Sequence, residues 1–236
     1  MDADWSKADL HIHTTYSDGT ASVEAVLKHV AMHTDLRVIA ITDHDTIAGA
    51  LEARRLAPAY GIEAIVGEEV STREGHLLAL FIEEPLPPYQ PAAATIAAVH
   101  AQGGLCIAPH PYDWMTPSLG RAGMRKRSAG AGCEWPLDGV ESFNAGLWSL
   151  SANARAADVG EQLGLPLLGG SDAHHPATIG LGYTSFPGYT AADLRDAIRT
   201  HSIQPGGTAW RWLHGAEFVG LWLRERALRA LLPSAS

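Results

Sequence analysis

Strand-like and helix-like segments alternate along nearly the whole chain, and this alternation constrains the fold more than any other feature. The apolar, strand-like runs lie near residues 8–13, 37–42, 62–66, 76–82, 104–108, 139–143, 166–169 and 183–186. The helix-like stretches lie near residues 22–32, 46–60, 91–102, 150–163 and 191–199. Strands that alternate with helices predict a parallel sheet covered by helices. Six or seven such units in one α/β domain favour a closed or nearly closed barrel over an open sheet.

The length of 236 residues fits one barrel-sized domain with a substantial core. We predict that residues 1–205 form the barrel. Residues 206–236 are predicted to form a C-terminal helical extension, either packed on the barrel or used as a homodimer contact. The stretch 111–137 is rich in Gly, Pro and basic residues, and we expect a loop over the barrel mouth there.

The first strand carries two histidines, His11 and His13, inside an apolar run that alternates with a period of two. Side chains two residues apart on a strand point to the same face. Two neutral imidazoles on one face can bind a single metal ion. Such a pair also occurs by chance in many strands, so its interpretation depends on the rest of the chain.

Further histidines and carboxylates follow at successive strand ends. They are His44, Glu68, Glu69, His76, His110, Asp172 and His174. In a β/α barrel, catalytic groups gather at the C-terminal ends of the strands. The exceptions to this placement are the pair on the first strand and His76, which lie within or at the start of their predicted strands.

The composition excludes some classes of partner and favours a compartment. A formal net charge of −9 argues against a general binder of nucleic acid or of anionic membranes, since both need a basic face. No apolar run is long enough to span a bilayer, and the N-terminus lacks the basic start and apolar core of a signal peptide. We therefore expect a cytoplasmic protein that does not bind membranes and for which nucleic acid is not the favoured partner.

Five motifs together resemble the PHP (polymerase and histidinol phosphatase) family. In chain order they are Asp-Leu-His-x-His-Thr-x-x-Ser-Asp-Gly, Thr-Asp-His-Asp, Gly-x-Glu, His-Pro and Gly-Ser-Asp-Ala-His, between residue 9 and about residue 200. The resemblance implies a distorted (β/α)7 TIM-like barrel in a single domain. It also implies divalent metal ions at the barrel mouth and hydrolysis of phosphate esters. Small phosphoesterases of the family often carry an inserted helical domain that this chain lacks, which leaves the substrate open.

The resemblance also implies a set of metal ligands. His11, His13 and Asp172 would bind one ion, and Glu69 would bridge it to a second ion held by His76 and His110. A third ion would lie among Asp18, His44 and His174. Glu69, Asp172 and His174 would take part in catalysis as well. Some members have His where this chain has Asp18, so the number of ions, two or three, stays open.

Three further points concern residues near this ligand set. Glu68 would replace Glu69 if the strand register differed. Glu141 and Asn144 lie in a segment that also resembles the family, although neither needs to touch metal. The mixed imidazole and carboxylate set suits Zn, Mn or Fe without choosing among them.

A basic patch in the predicted mouth loop offers a site for the substrate. Arg121, Arg125, Lys126 and Arg127 are the densest positive charges in an acidic chain, and Arg155 near the start of a helix is a further candidate. Arginine can hold a phosphate with two hydrogen bonds. The alternative interpretation is an ordinary solvated run of surface charge.

The function predicted from these residues is metal-dependent hydrolysis of a phosphate ester by a metal-activated water. The substrate would be a small phosphomonoester or a nucleotide-type phosphodiester, because two closely spaced ions can neutralise the phosphoryl oxygens and activate water. Two alternatives remain. One is a metal-dependent amide or lactone hydrolase of a related barrel type, and the other is a non-catalytic metal-binding PHP domain.

Overall fold

Nine strands form one sheet in the computed structural model, which describes residues 4–126, 135–147 and 149–209. Their order across the sheet is β7-β6-β5-β4-β3-β2-β1-β8-β9. The strands are β1 (Trp5–Ile12), β2 (Leu36–Ile41), β3 (Glu63–Ser71), β4 (His76–Leu80), β5 (Leu105–Ala108), β6 (Gly139–Asn144), β7 (Leu167–Gly170), β8 (Gly182–Pro187) and β9 (Gln204–Gly207).

Six α-helices connect or follow these strands in the described part of the chain. They are α1 (Val23–His33), α2 (Ala48–Leu56), α3 (Ala92–Ala101), α4 (Gly120–Lys126), α5 (Leu150–Gln162) and α6 (Ala191–Arg199). A 3-10 turn over Ala57–Tyr60 continues α2. Each helix predicted between residues 22 and 199 is present within a few residues of its expected ends. Among the described residues, no helix combines the length and the apolarity needed to cross a bilayer.

The sheet is mixed, and the prediction of a parallel sheet is wrong in this respect. Strands β1, β2 and β3 are mutually parallel, as are β5, β6 and β7. β4 runs antiparallel to both of its neighbours, and β8 runs antiparallel to β1 and β9. The reason at β4 is the connection: only residues 72–75 join it to β3, whereas a parallel crossover needs a dozen or more.

The two halves of the sheet curve towards each other into a nearly closed barrel, as predicted. Beyond the last residue of β7 the chain pairs with the end of β1, where the amide of His13 donates to the carbonyl of Ala173 at 2.9 Å. The hydroxyl of Thr184 on β8 donates to the carbonyl of Gly169 on β7 at 2.9 Å. Gly182 is required for this close approach, because a Cβ there would collide with the carbonyl of Gly170.

Two apolar clusters hold the barrel together. The outer one lies between strands and helices and includes Val26 and Leu27 of α1 and Ile96 of α3. The inner one joins alternate residues of the strands, among them Leu10 and Ile107. Apolar residues of α6 also belong to the inner cluster, namely Leu194, Ala197 and Ile198.

Two predicted loop or terminal regions contain regular structure. The stretch 111–137, predicted to be a loop, contains helix α4. Strand β9, which the sequence did not suggest, spans the predicted domain boundary at residue 205 and pairs with β8. The rest of the predicted C-terminal extension, from residue 210, lies outside the described residues, so its helical character and its role as a dimer contact stay predictions.

Candidate metal centre

Nine side chains converge at one end of the barrel, and they are the nine that the sequence suggested as metal ligands. They are His11, His13, Asp18, His44, Glu69, His76, His110, Asp172 and His174. Most follow the C-terminal end of a parallel strand. The two exceptions are resolved by the structure, since His11 and His13 flank the last residue of β1. His76 opens β4, and the reversed direction of β4 brings that first residue to the same end.

Glu69 lies at the middle of the cluster, and its two oxygens face different histidines. Oε1 is 2.8 Å from Nδ1 of His76 and 3.0 Å from Nε2 of His110. Oε2 is 3.1 Å from Nε2 of His11 and 3.3 Å from Nε2 of His13. Nδ1 of His44 also lies 3.5 Å from Oε2. One carboxylate therefore reaches two imidazoles with one oxygen and three with the other, which is the geometry of a bridging ligand.

Two further carboxylates complete the cluster on the side of His13. Oδ1 of Asp172 is 3.4 Å from Nε2 of His11 and 3.3 Å from Nε2 of His13. Oδ2 of Asp18 is 3.1 Å from Nε2 of His174 and 3.8 Å from Nε2 of His44. The carboxylates thus alternate with imidazoles around the mouth of the barrel.

The ligand atoms form four overlapping groups, each with all its atoms within 4.8 Å of one another. The groups are His11, His13 and Asp172; His11, Glu69 and His110; His44, Glu69 and His76; and His13, Asp18, His44 and His174. The first group matches the predicted first site. The other groups divide the ligands differently from the predicted second and third sites. His44 belongs to the group of His76 as well as to that of Asp18, and His13 joins Asp18, His44 and His174.

The donor set fits divalent metal ions. Among the described residues, neither ring nitrogen of buried His13 makes a well-aligned hydrogen bond, although Nε2 lies 3.3 Å from the carboxylates of Glu69 and Asp172. A buried nitrogen of this kind is unfavourable unless something binds it. Burial by itself would lower the pKa of His13, but the carboxylates of Asp172 and Glu69 outweigh it and raise that pKa to about 10. Burial would likewise raise the pKa of Glu69, yet the surrounding histidines hold it well below its usual range. Metal ions would replace the protons that otherwise balance these carboxylates.

A second layer of polar groups orients the ligands. Oε1 of Glu141 on β6 is 3.1 Å from Nδ1 of His11, which leaves Nε2 of His11 to face Glu69. Oε2 of Glu141 accepts from the backbone amide of His110 at 2.9 Å. The side-chain amide Nδ2 of Asn144 donates to Oε2 of Glu141 at 2.8 Å and to Oδ2 of Asp172 at 3.1 Å. Such partners fix the ring orientation and the tautomer of a metal-binding histidine.

The backbone at two candidate ligands is strained. Asp172 has φ 53° and His110 has φ 28°, in the left-handed region that non-glycine residues seldom adopt. Conformations of this kind cost on the order of 1–3 kcal/mol and persist where the surroundings over-determine them. Here the surroundings include the bonds from Glu141 and Asn144. Gly170 allows this packing, since a Cβ there would collide with the Glu141 carboxylate.

The loop that carries Asp18 is held by Asp43, the residue before His44. The Asp43 carboxylate accepts three hydrogen bonds at 2.7 Å, from the amide and hydroxyl of Thr14 and from the hydroxyl of Ser17. Asp43 is fully buried. The end of β2 thus fixes the conformation of the loop after β1.

The basic residues are only partly brought together. Arg121, Arg125 and Arg155 line one cavity of about 260 Å³ between α4 and α5. None of the nine cluster residues lines this cavity. Arg127 and the side chain of Lys126 lie outside the described residues, so their predicted contact with substrate stays a prediction.

Sequence reasoning left the supporting residues without a role. The sequence predicts no contact for Glu141 or Asn144, and it places Asp43 only within the motif Thr-Asp-His-Asp. The available signal was a carboxylate in the apolar strand Gly139–Asn144, because a buried carboxylate requires a partner. Ser118, whose hydroxyl lies 3.1 Å from Nδ1 of His110, had no such signal, since it lies in a loop.

Comparison with protein families gives two matches. The family model described as PHP domain matches residues 9–126, and the model described as PHP-associated matches residues 151–203. The first match contains seven of the nine cluster residues, and the second contains Asp172 and His174.

Three known proteins illustrate the similarity. The uncharacterized protein MJ1587 of Methanocaldococcus jannaschii is 39% identical over 59% of this chain and 82% of its own length. A 5'-3' exoribonuclease of Haemophilus influenzae is 45% identical over 34% of this chain and 31% of its own length. A crystal structure from Bacteroides vulgatus, described as a two-domain protein containing a predicted PHP-like metal-dependent phosphoesterase, aligns with a TM-score of 0.72. It shares 19% identity over 87% of this chain and 66% of that one, a likeness that concerns the fold.

Proposed function

The chain belongs to the PHP domain family of metal-dependent phosphoesterases, and we propose that it cleaves a phosphate ester, either a small phosphomonoester or a nucleotide-type phosphodiester, by water held at the cluster of nine ligands. The observation that carries the proposal is the position of Glu69, with two imidazoles at Oε1 and three at Oε2. A carboxylate with imidazoles at both of its oxygens suits a pair of neighbouring ions.

We propose that the nine cluster residues hold two or three divalent ions, and that the metal is Zn, Mn or Fe. Bound there, divalent ions would neutralise the phosphoryl oxygens and lower the pKa of a water molecule. The protein's own part is to hold the imidazoles in place. Glu141 does this for His11, and Ser118 does it for His110. Asp172 and His174 are the groups we assign to proton transfer, since both side chains are partly exposed at the mouth of the cluster, where water can approach.

The two alternative functions have less support. Barrel hydrolases that act on amides or lactones often bridge their metals by a modified lysine. Among the described lysine side chains, Lys7 pairs with Asp35 and Lys28 is exposed on α1. A non-catalytic metal-binding domain would be favoured by lost ligand positions. Here all nine positions hold a residue that can bind metal.

The expectation that nucleic acid is not a partner is withdrawn. It rested on the net charge of −9, which describes the whole surface and not the site. A relative named as a 5'-3' exoribonuclease matches about a third of this chain. We therefore extend the proposed substrates, which already include small phosphomonoesters and nucleotide-type phosphodiesters, to the phosphodiesters of nucleic acid.

An assay across ester classes tests the proposal. Metal-stripped protein is reloaded separately with Mn, Zn or Fe. It is then assayed on p-nitrophenyl phosphate, bis(p-nitrophenyl) phosphate, a dinucleotide, an anilide and a lactone. We expect metal-dependent cleavage of phosphate esters, and the comparison of the monoester with the two diesters identifies the class. An Asp172→Asn variant purified in parallel controls for contaminating phosphatases. Cleavage of the anilide or lactone alone, or of nothing with any metal, would refute the proposal.

A further inference from the structure

Asp9 is a fully buried carboxylate for which the metal centre has no use so far. It lies on β1 two residues before His11, outside the four ligand groups found among the described residues. Oδ1 accepts from the backbone amide of Ser171 at 3.0 Å and from that of His11 at 3.3 Å, and Oδ2 accepts from the backbone amide of Gly180 at 2.8 Å. In the described part of the chain the partners of this carboxylate are hydrogen-bond donors, and none is a basic side chain. A buried carboxylate without a cation partner is unfavourable, so a specific role for it is expected.

Asp9 lies where β1 changes its neighbour on one side. Through Ala8, β1 pairs antiparallel with β8. At Ile12 it pairs in parallel with Ala173, in the segment that follows β7. The pairing of β1 with β2 also shifts its register between Asp9 and Ile12. Backbone amides at such a change of partner need acceptors outside the regular strand pairing, and the two oxygens of Asp9 serve three of them.

The segment that Asp9 anchors carries two of the candidate metal ligands. Ser171 directly precedes Asp172, whose backbone has φ 53° and is therefore held away from the conformations that a non-glycine residue prefers. His174 has an anchor of its own, because the amide and the hydroxyl of Thr20 both donate to its carbonyl at 2.8 Å. The bond from the Ser171 amide to Asp9 therefore bears on the position of Asp172 more than on that of His174.

We propose that Asp9 is a positioning residue, which sets Asp172 against the histidines of β1 by fixing the backbone one residue before it. The proposal deepens the proposed function and rests on it in one respect, namely that the cluster binds metal. A carboxylate suits this role better than an amide, since both of its oxygens accept hydrogen bonds. Asp9→Asn keeps the size of the side chain but replaces one acceptor by an NH2 group, so the amides of Ser171 and Gly180 can no longer both be satisfied.

Metal affinity tests the proposal without turnover. Metal-free protein is titrated with Zn²⁺ in competition with a fluorescent chelator of known affinity. Asp9→Asn should lower the affinity for one ion by about tenfold or more, because loss of a group that orients a metal ligand costs about 10–100-fold. Asp138 provides the matched control, since its carboxylate also accepts from a backbone amide, that of Cys106 at 2.8 Å. Asp138 directly precedes β6 and so lies at the opposite end of the barrel from the cluster, and Asp138→Asn should bind zinc as the parent does.

A double-mutant cycle distinguishes positioning from a general loss of structure. If Asp9 acts through Asp172, adding Asp9→Asn to Asp172→Ala should change no zinc affinity by more than about twofold, because residues that act through one another are not additive. Added to His76→Ala, which removes a ligand on another strand, Asp9→Asn should lower the affinity by the same factor as in the parent, because independent losses multiply. The same factor in all three backgrounds would show that Asp9 only stabilises the barrel, and would overturn the proposal.

Activity of the same proteins separates this proposal from the proposed function. If the parent cleaves phosphate esters and Asp9→Asn binds zinc as the parent does, the positioning role falls and the function stands. If Asp9 shows the expected coupling to Asp172 but the parent cleaves no ester with Mn, Zn or Fe, the positioning role stands and the function falls. Should Asp9→Asn fail to fold, Asp9→Ser, which places no NH2 group against the amide of Gly180, is taken through the same cycle and judged by the same outcomes.

Discussion

Glu68 and Glu69 are adjacent on β3, and their surroundings shift the pKa values of the two carboxyl groups in opposite directions. Glu69 points into the histidine cluster, where the imidazoles hold its pKa well below its usual range. Glu68 points to the other face of the strand. There Oε2 accepts from the amide of Leu86 at 3.0 Å, and burial raises the pKa of Glu68 to about 7. The sequence narrowed the predicted bridging ligand to this pair, and Glu69, which the motif Gly-x-Glu favours, is the one whose carboxylate faces the histidines.

Glu69→Gln should therefore lower kcat/KM by roughly 100-fold or more, whereas Glu68→Gln should change it only a few-fold. Loss of a group that only hydrogen-bonds to a metal ligand lowers metal affinity or activity about 10–100-fold, and we expect loss of a bridging ligand to cost more. Steady-state kinetics of the two variants, with metal content measured on the same samples, makes the comparison. Equal losses, or a larger loss for Glu68→Gln, would show that Glu69 is not the bridge.

Glu68→Gln has a separate expected effect on stability. A carboxyl whose pKa is raised on folding favours the native state at low pH. That contribution is present below the unfolded pKa near 4.5 and is lost as pH rises towards about 7. The glutamine cannot ionise, so the free energy of unfolding of the variant should fall less between these pH values than that of the parent. Denaturant unfolding at a series of pH values measures it, and identical pH dependence would contradict it.

At the scale of elements, the strand and helix positions were predictable, while strand direction was not. Apolar runs locate strands such as β2 and β5, but an apolar run reads the same in either direction. The direction of β4 was contained in the short connection at residues 72–75, which no parallel crossover can use. Helix α4 was missed because it is short and begins at Gly120 with a positive φ, and β9 because Gln204–Gly207 has neither alternation nor β-branched residues.

The loop after β1 depends on an acceptor supplied by β2. Asp43→Asn replaces one acceptor oxygen by an NH2 group, which cannot accept from the Thr14 or Ser17 donors. We expect the Asp18 loop to loosen and metal content to fall by about one ion per chain, with His11 and Glu69 unaffected. Elemental analysis after reloading tests this, with Asp35→Asn, an exposed carboxylate paired with Lys7, as the control. An unchanged metal content would show that Asp43 does not support the outer ligands.

At the scale of the whole molecule, the cluster draws ligands from strands all around the barrel. Metal bound there interacts with the native state and hardly with the unfolded chain, so it stabilises by an amount that grows with its concentration. At 100 times the dissociation constant the gain is about 2.7 kcal/mol. Chelation should therefore lower the melting temperature, and Mn, Zn or Fe should restore it. The same melting temperature with and without metal would argue that the cluster binds no ion.

The stabilisation by metal should also weaken as pH falls. A metal competes with the proton on His13, whose pKa in the metal-free cluster is raised to about 10. Lowering the pH favours the proton, and metal affinity falls with each proton that must be displaced. Melting curves with a fixed total metal concentration, recorded from pH 8 to pH 6, should show a shrinking difference between loaded and stripped protein. A difference that grows over this range would contradict the assignment of His13.

The hydrogen bond from the amide of His13 to the carbonyl of Ala173 bears on the stage of folding at which the metal centre forms. Contacts between residues about 160 positions apart form slowly, because a long loop must close before they are made. During synthesis, the histidines of the first strand emerge long before Asp172 and His174 do. A metal ion bound by the N-terminal part of the chain would lack the ligands Asp172 and His174. Acquisition of the full centre thus belongs to the last stage of folding, after the final strands have closed the barrel.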